Sequence, residues 1–136
     1  MIGIVVITHH ELGQTLLRTA EGILGKVENC TAVSVDGTSS MDQAMSQIQE
    51  RIRAMDQGDG VLVLTDMFGG TPSNLSLSLL ESTRLEVVTG ANLPMLLKIL
   101  NRLDADLEEV GTEAKSAGRQ GIVVAGEVMK RKINHG

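Results

Sequence analysis

A chain of 136 residues that is 42% apolar has the size and hydrophobic content of one domain with a real core. The formal net charge is −5 and no basic stripe is present, which argues against nucleic acid as a partner. Cys30 is the single cysteine and cannot form an internal disulfide. The N-terminus has no basic leader, and no apolar run reaches bilayer length, so the expectation is a cytoplasmic protein without direct membrane insertion.

The chain opens on an apolar run, Ile2–Ile7, that reads as a strand and stops at Thr8, His9 and His10. Leu12, Leu16, Ala20, Ile23 and Leu24 then recur at helical spacing, with Gly25 as the stop. Thr31–Val35 is a short second strand, and Cys30 beside it reads as core filler. Ser40 and Gln43 match a capping box ahead of the stripe Met41, Ala44, Met45, Ile48, Ile52 and Met55, which reads as a core-facing helix.

Val61–Leu64 is a third apolar strand, followed by Asp66 and the turn residues Gly69 and Gly70. Thr71 can cap a helix whose first residue is Pro72. Phe68, the single aromatic residue, falls in this turn; a role beside the candidate site and a place tucked onto the core are equally open to it. Leu85–Thr89 is a fourth strand, and Asn92-Leu93-Pro94 opens a helix to about Arg102. Leu107, Val110, Ala114 and Ala117 mark a last helix. Ile122–Ala125 then reads as a final strand, and residues 127–136, with Lys130, Arg131 and Lys132, as a mobile polar tail.

Alternation of strand and helix predicts an α/β fold: a doubly wound, mostly parallel sheet with helices on both faces. The expected strand order is 2-1-3-4 plus a C-terminal edge strand, with residues 1–126 forming one domain. In that order the ends of the first and third strands are neighbours at the switch point, which brings His9 beside Asp66.

These residue types suit the carriage of a phosphoryl group on histidine. A neutral imidazole is a nucleophile near neutral pH, and it attacks best when a carboxylate holds its other nitrogen protonated. Asp66 is the candidate acceptor for His9. The N-terminus of the Pro72 helix offers backbone N–H groups to an anion, Gly69 and Gly70 allow close approach, and Thr71 and Thr8 are further candidate phosphate contacts. Taken singly, each feature has a plainer reading: a surface histidine, an Asx-turn, a helix start. His10 competes with His9, but period-two alternation turns the two in opposite directions, and His10 is expected to face away or to cap the first helix. His135, in the tail, is given no role. The histidines and the cysteine show no zinc spacing, and neither a Walker-type loop nor a Gly-X-Gly-X-X-Gly fingerprint is present. No metal or cofactor is expected.

Three blocks at strand ends closely resemble one family: Ile7-Thr8-His9; Leu64-Thr65-Asp66-Met67-Phe68-Gly69-Gly70-Thr71-Pro72-Ser73-Asn74; and Gly90-Ala91-Asn92-Leu93-Pro94-Met95. From Met1 to about Ala125 the chain resembles the mannose-family IIA domain of the bacterial phosphoenolpyruvate-dependent sugar phosphotransferase system (PTS). The resemblance implies that His9 is phosphorylated, that Asp66 partners it and that Thr71 lies at the phosphate. It implies phospho-HPr as donor, a IIB component as acceptor, and a homodimer in which the last strand joins the sheet edge. His10 departs from the pattern, standing where many members carry a small residue such as glycine. No Ala/Pro-rich linker follows, so the expectation is a free-standing IIA protein. Two other readings share the chemistry: a regulatory module read out through its phosphorylation state, and a phosphoryl donor to a dihydroxyacetone kinase, against which Gly69-Gly70-Thr71-Pro72 argues. A phosphatase with a phosphohistidine intermediate is disfavoured because no arginine lies near His9 in sequence.

Overall fold

The computed structural model describes residues 1–80 and 84–135, with only the backbone of Asn134 and His135, so the His135 side chain lies outside the described part. Four strands, β1 (Gly3–His9), β2 (Cys30–Val35), β3 (Val61–Thr65) and β4 (Leu85–Thr89), form a parallel sheet in the order β2-β1-β3-β4. The helices are α1 (Leu12–Leu24), α2 (Met41–Met55), α3 (Thr71–Leu77), α4 (Leu93–Ile99), α5 (Leu107–Gln120) and α6 (Ala125–His135). The register runs Ile4↔Cys30 to His9↔Val35 on one side of β1 and Gly3↔Val61 to Ile7↔Thr65 on the other.

The central strands are apolar on both faces because both are covered. Ile2, Ile4, Val6, Leu62 and Leu64 pack with Ala20 of α1, Leu96 and Ile99 of α4, and Val110 and Ala114 of α5. Val5, Ile7, Val33, Val61 and Val63 point the other way, against Ala44, Ile48 and Ile52 of α2 and Leu75 of α3. Cys30 packs at the margin of the first layer; burial, with the charge of Glu21, pushes its thiol up to about 12, so it is an inert filler.

Local chemistry sets the element ends. The Ser40 hydroxyl accepts from Gln43 N–H at 3.1 Å and the Gln43 side chain accepts from Ser40 N–H at 3.0 Å, a complete capping box. Asn92 caps α4 by accepting from Met95 N–H. At α3 the N-cap is Gly70, so Thr71 and Pro72 are the first two helical residues, one position off the sequence reading.

The C-terminal region departs from expectation. Residues 122–124 form no strand, and α6 begins at Ala125, so the described residues contain no fifth strand and β4 is left as an edge. Ile-Val-Val favours β structure, but among the described residues it meets no partner strand; Ile122 N–H donates to Arg119 C=O, and Val124 C=O accepts from the first turn of α6. Ile122 is 77% exposed, and Val123 and Val124 are exposed beside it. The expected polar tail is helical, with Val128, Met129 and Ile133 exposed alongside Lys130, Arg131 and Lys132.

Candidate phosphoryl site

The paired ends of β1 and β3 bring His9 and Asp66 together. Asp66 Oδ2 accepts from His9 N–H at 2.9 Å and lies 2.8 Å from His9 Nδ1, while Oδ1 accepts from Met67 N–H at 3.0 Å. An ionised carboxylate only accepts, so Nδ1 carries the ring proton, and in the neutral imidazole the Nε2 lone pair is free. Burial pushes the Asp66 carboxyl up, but the backbone N–H, ring and charge of His9 outweigh it and hold the group below its ordinary value. The Asp66 side chain is 12% exposed and that of His9 39%, so the anchor is sheltered and the nucleophile is reachable.

Glycine at position 70 follows from this placement. A Cβ there would stand 2.7 Å from His9 Cε1 and 3.3 Å from Nε2, so the loop backbone lies against the free edge of the ring. Gly69 turns the chain into that approach with φ +86°. Thr71 follows at the first helical position and lines the groove that His9 borders. The first-turn N–H groups of α3 have no intrahelical partner, apart from Pro72, which has none to offer.

Two residues sit differently from the sequence reading. The Thr8 hydroxyl is fully buried, accepting from Gly13 N–H at 2.8 Å, so it braces the start of α1 and does not face the groove as a phosphate contact. His10 does not face away and does not cap α1, whose N-cap is Glu11. It lines the same groove as His9 because β1 continues through His9 and His10 turns the chain with φ +48°, which breaks the strand alternation.

That groove has a volume of about 310 Å³, and its far wall comes from the end of β2 and the start of α2 through Ser34, Asp36, Ser39 and Gln47. Sequence reading missed this wall, although the β2-β1 pairing it expected implies it. The third block of the family resemblance, at Gly90-Ala91-Asn92, is not among the residues that line the groove. Gly90 and Ala91 donate to Thr65 C=O and Asn92 donates to Gly118 C=O, so the block ties β4, α4 and α5 together behind the site. Phe68 is 74% exposed in the turn between Asp66 and Gly70, and Met67, Leu12 and Met41 are also exposed. Among the described residues no cluster of three or more His, Cys, Asp or Glu side chains could hold a metal ion, and no helix is long and apolar enough to cross a membrane.

Comparison with known proteins agrees with this geometry. The family model described as PTS system fructose IIA component matches residues 3–115. The PTS system mannose-specific EIIAB component of Escherichia coli K12 is 32% identical over 124 residues, covering 89% of this chain; the chain spans 38% of that relative's length. The PTS system fructose-specific EIIA component of Bacillus subtilis is 26% identical over 133 residues, covering 96% of this chain and 91% of the relative. Among solved structures, phosphotransferase system component EIIA from Streptococcus agalactiae superposes with a TM-score of 0.84 at 25% identity, covering 93% of this chain and 99% of that one. The mannose/sorbose specific IIA subunit from Enterococcus faecalis shares the fold with a TM-score of 0.82 at 20% identity, covering 90% and 93%. With the family model spanning most of its length and a histidine–carboxylate pair at its sheet edge, the chain belongs to the mannose/fructose-type IIA family of the sugar phosphotransferase system.

Proposed function

We propose that this chain is a phosphocarrier: His9 Nε2 takes a phosphoryl group from phospho-HPr and passes it to a IIB component of a mannose-type PTS. One observation carries the reading. Asp66 occupies His9 Nδ1, which leaves Nε2 as the free nitrogen, on the ring edge that faces Gly70.

The step balances simply. The Nε2 lone pair attacks phosphorus in line with the donor P–N bond, and the donor ring nitrogen leaves with the bonding pair. His9 keeps its Nδ1 proton and becomes a phosphorylated imidazolium, whose charge Asp66 offsets. The N–H groups at the start of α3 and the Thr71 hydroxyl are the candidate partners for the phosphoryl oxygens. Onward transfer reverses the sequence, with the acceptor nucleophile attacking and Nε2 leaving. Phosphoryl transfer needs mainly positioning and charge stabilisation, which this small set can supply.

A carrier must also dock. Phe68 and Met67, exposed in the turn after Asp66, Leu12, exposed just after His10, and Met41, which lines the groove, offer apolar surface to protein partners, consistent with HPr and IIB as successive occupants. The carrier unit is assigned to residues 1–126 and to the cytoplasm. A homodimer completes the proposal: β4 has an open edge beside a groove of about 510 Å³ lined by Glu86–Thr89 and α5, and the exposed apolar residues 122–124 are free to cover that edge in a second copy. Incubation with phosphoenolpyruvate, enzyme I and HPr tests the carrier role; acid-labile, base-stable phosphate on His9 is expected, and its absence contradicts the reading.

A further inference from the structure

We propose that His10 is a second phosphoryl-binding residue, a clamp whose ring N–H donates across the groove to the group carried on His9 Nε2. The proposal rests on the phosphocarrier reading and deepens it.

Four observations support it. First, His10 lines the groove that His9 and Thr71 line. Second, its backbone has φ +48°, a left-handed conformation that glycine adopts freely and a residue with a Cβ adopts at a cost. A strained conformation kept at a site edge points to a use for the side chain. Third, the strained residue is fixed: its N–H donates to Val35 C=O at 3.2 Å, and its carbonyl faces the Thr8 hydroxyl at 3.5 Å. Fourth, the ring forms no hydrogen bond with the described residues. The nearby Asp36 carboxylate is engaged by Thr38, whose hydroxyl and N–H meet Oδ1 at 2.7 and 3.0 Å; Asp36 and His10 interact only through charge. The exposed His10 ring therefore keeps an N–H that no described residue engages. Adjacent histidines would then have separate tasks, His9 as carrier and His10 as donor to the cargo.

The test is the equilibrium constant for phosphoryl exchange between phospho-HPr and this protein, measured by phosphorus NMR on the full chain. It is compared across wild type, His10→Gly, His10→Phe and His10→Arg. A hydrogen bond to an anionic phosphoryl group is worth about tenfold in such a constant. His10→Gly removes the donor and the strain. His10→Phe removes the donor but keeps the ring and the strain. Both are expected to move the equilibrium roughly tenfold toward phospho-HPr. His10→Arg, which restores a donor, is expected to stay near wild type. His10→Gly is expected to melt at or above the wild-type temperature, which separates the clamp from a folding effect.

Wild-type constants in both Gly and Phe variants overturn the clamp and leave the carrier reading standing. A shift in His10→Gly without one in His10→Phe assigns the effect to the backbone and also overturns it. If wild type takes no phosphate on His9, the carrier reading fails first and the clamp with it. Phosphate found on His10 itself overturns both.

Discussion

Asp66 Oδ2 holds His9 twice, receiving the backbone N–H at 2.9 Å and facing ring Nδ1 at 2.8 Å. One oxygen thus fixes both where the strand ends and which ring nitrogen is free. Asp66→Asn keeps the size of the side chain but can set an amide N–H against these donors. The variant is expected to fold and to lose phosphorylation rate by roughly a hundredfold. Stopped-flow or quench measurements with phospho-HPr, beside thermal melts, check this; equal rates would remove Asp66 from the mechanism.

The same contact has a pH signature. The folded-state pKa of Asp66 is lowered, so its contribution to stability is present above the unfolded value, about 3.9, and is lost as pH falls through the folded one. The gap in urea midpoint between wild type and Asp66→Asn should therefore be present at about pH 5 and shrink progressively as the pH falls below about 4. A gap that is unchanged down to acid pH contradicts the assignment.

Gly70→Ala tests the close approach. The added methyl would meet His9 Cε1 at 2.7 Å, and the ring is the part able to yield, so its bond to Asp66 is lost before the fold is. Transfer is expected to fall at least about tenfold with a melting temperature within a few degrees of wild type. A large loss of stability with normal transfer would show that the loop moves and not the ring.

Strand order and the His9–Asp66 pairing were legible in the sequence because buried parallel strands read as unbroken apolar runs, and the switch point follows from their order. Ser40 and Gln43 announced α2 through a reciprocal hydrogen-bond pattern that needs no tertiary context. What failed was context-dependent. Residues 122–124 have β-branched character but no neighbour strand among the described residues, so local propensity had nothing to pair with. The run Lys130-Arg131-Lys132 masked the helical spacing of Met129 and Ile133, and α6 was missed. His10 escaped because alternation fails where φ turns positive; the glycine that the family resemblance places at this position was the one signal of it.

Phe68→Ser should leave stability unchanged, because the ring is exposed, and should raise the KM for phospho-HPr by about tenfold or more, because exposed aromatics anchor protein interfaces. An unchanged KM would move the docking surface elsewhere.

Assembly is tested by ending the chain at Gly121. The full chain is expected to sediment as a dimer at micromolar concentration and the shortened chain as a monomer, since the removed segment carries exposed Ile122, Val123, Val124, Met129 and Ile133. A full-length monomer contradicts the proposed edge pairing.

His9 is the residue on which the proposed phosphoryl transfer turns. Labelled phosphoenolpyruvate, enzyme I and HPr are supplied to wild type, His9→Ala and His10→Gly, and acid-labile, base-stable phosphate on the protein is counted. The expected result is near-stoichiometric label on wild type, none on His9→Ala with a native melt, and label retained on His10→Gly. Label persisting on folded His9→Ala would contradict the assignment of His9 as the carrier.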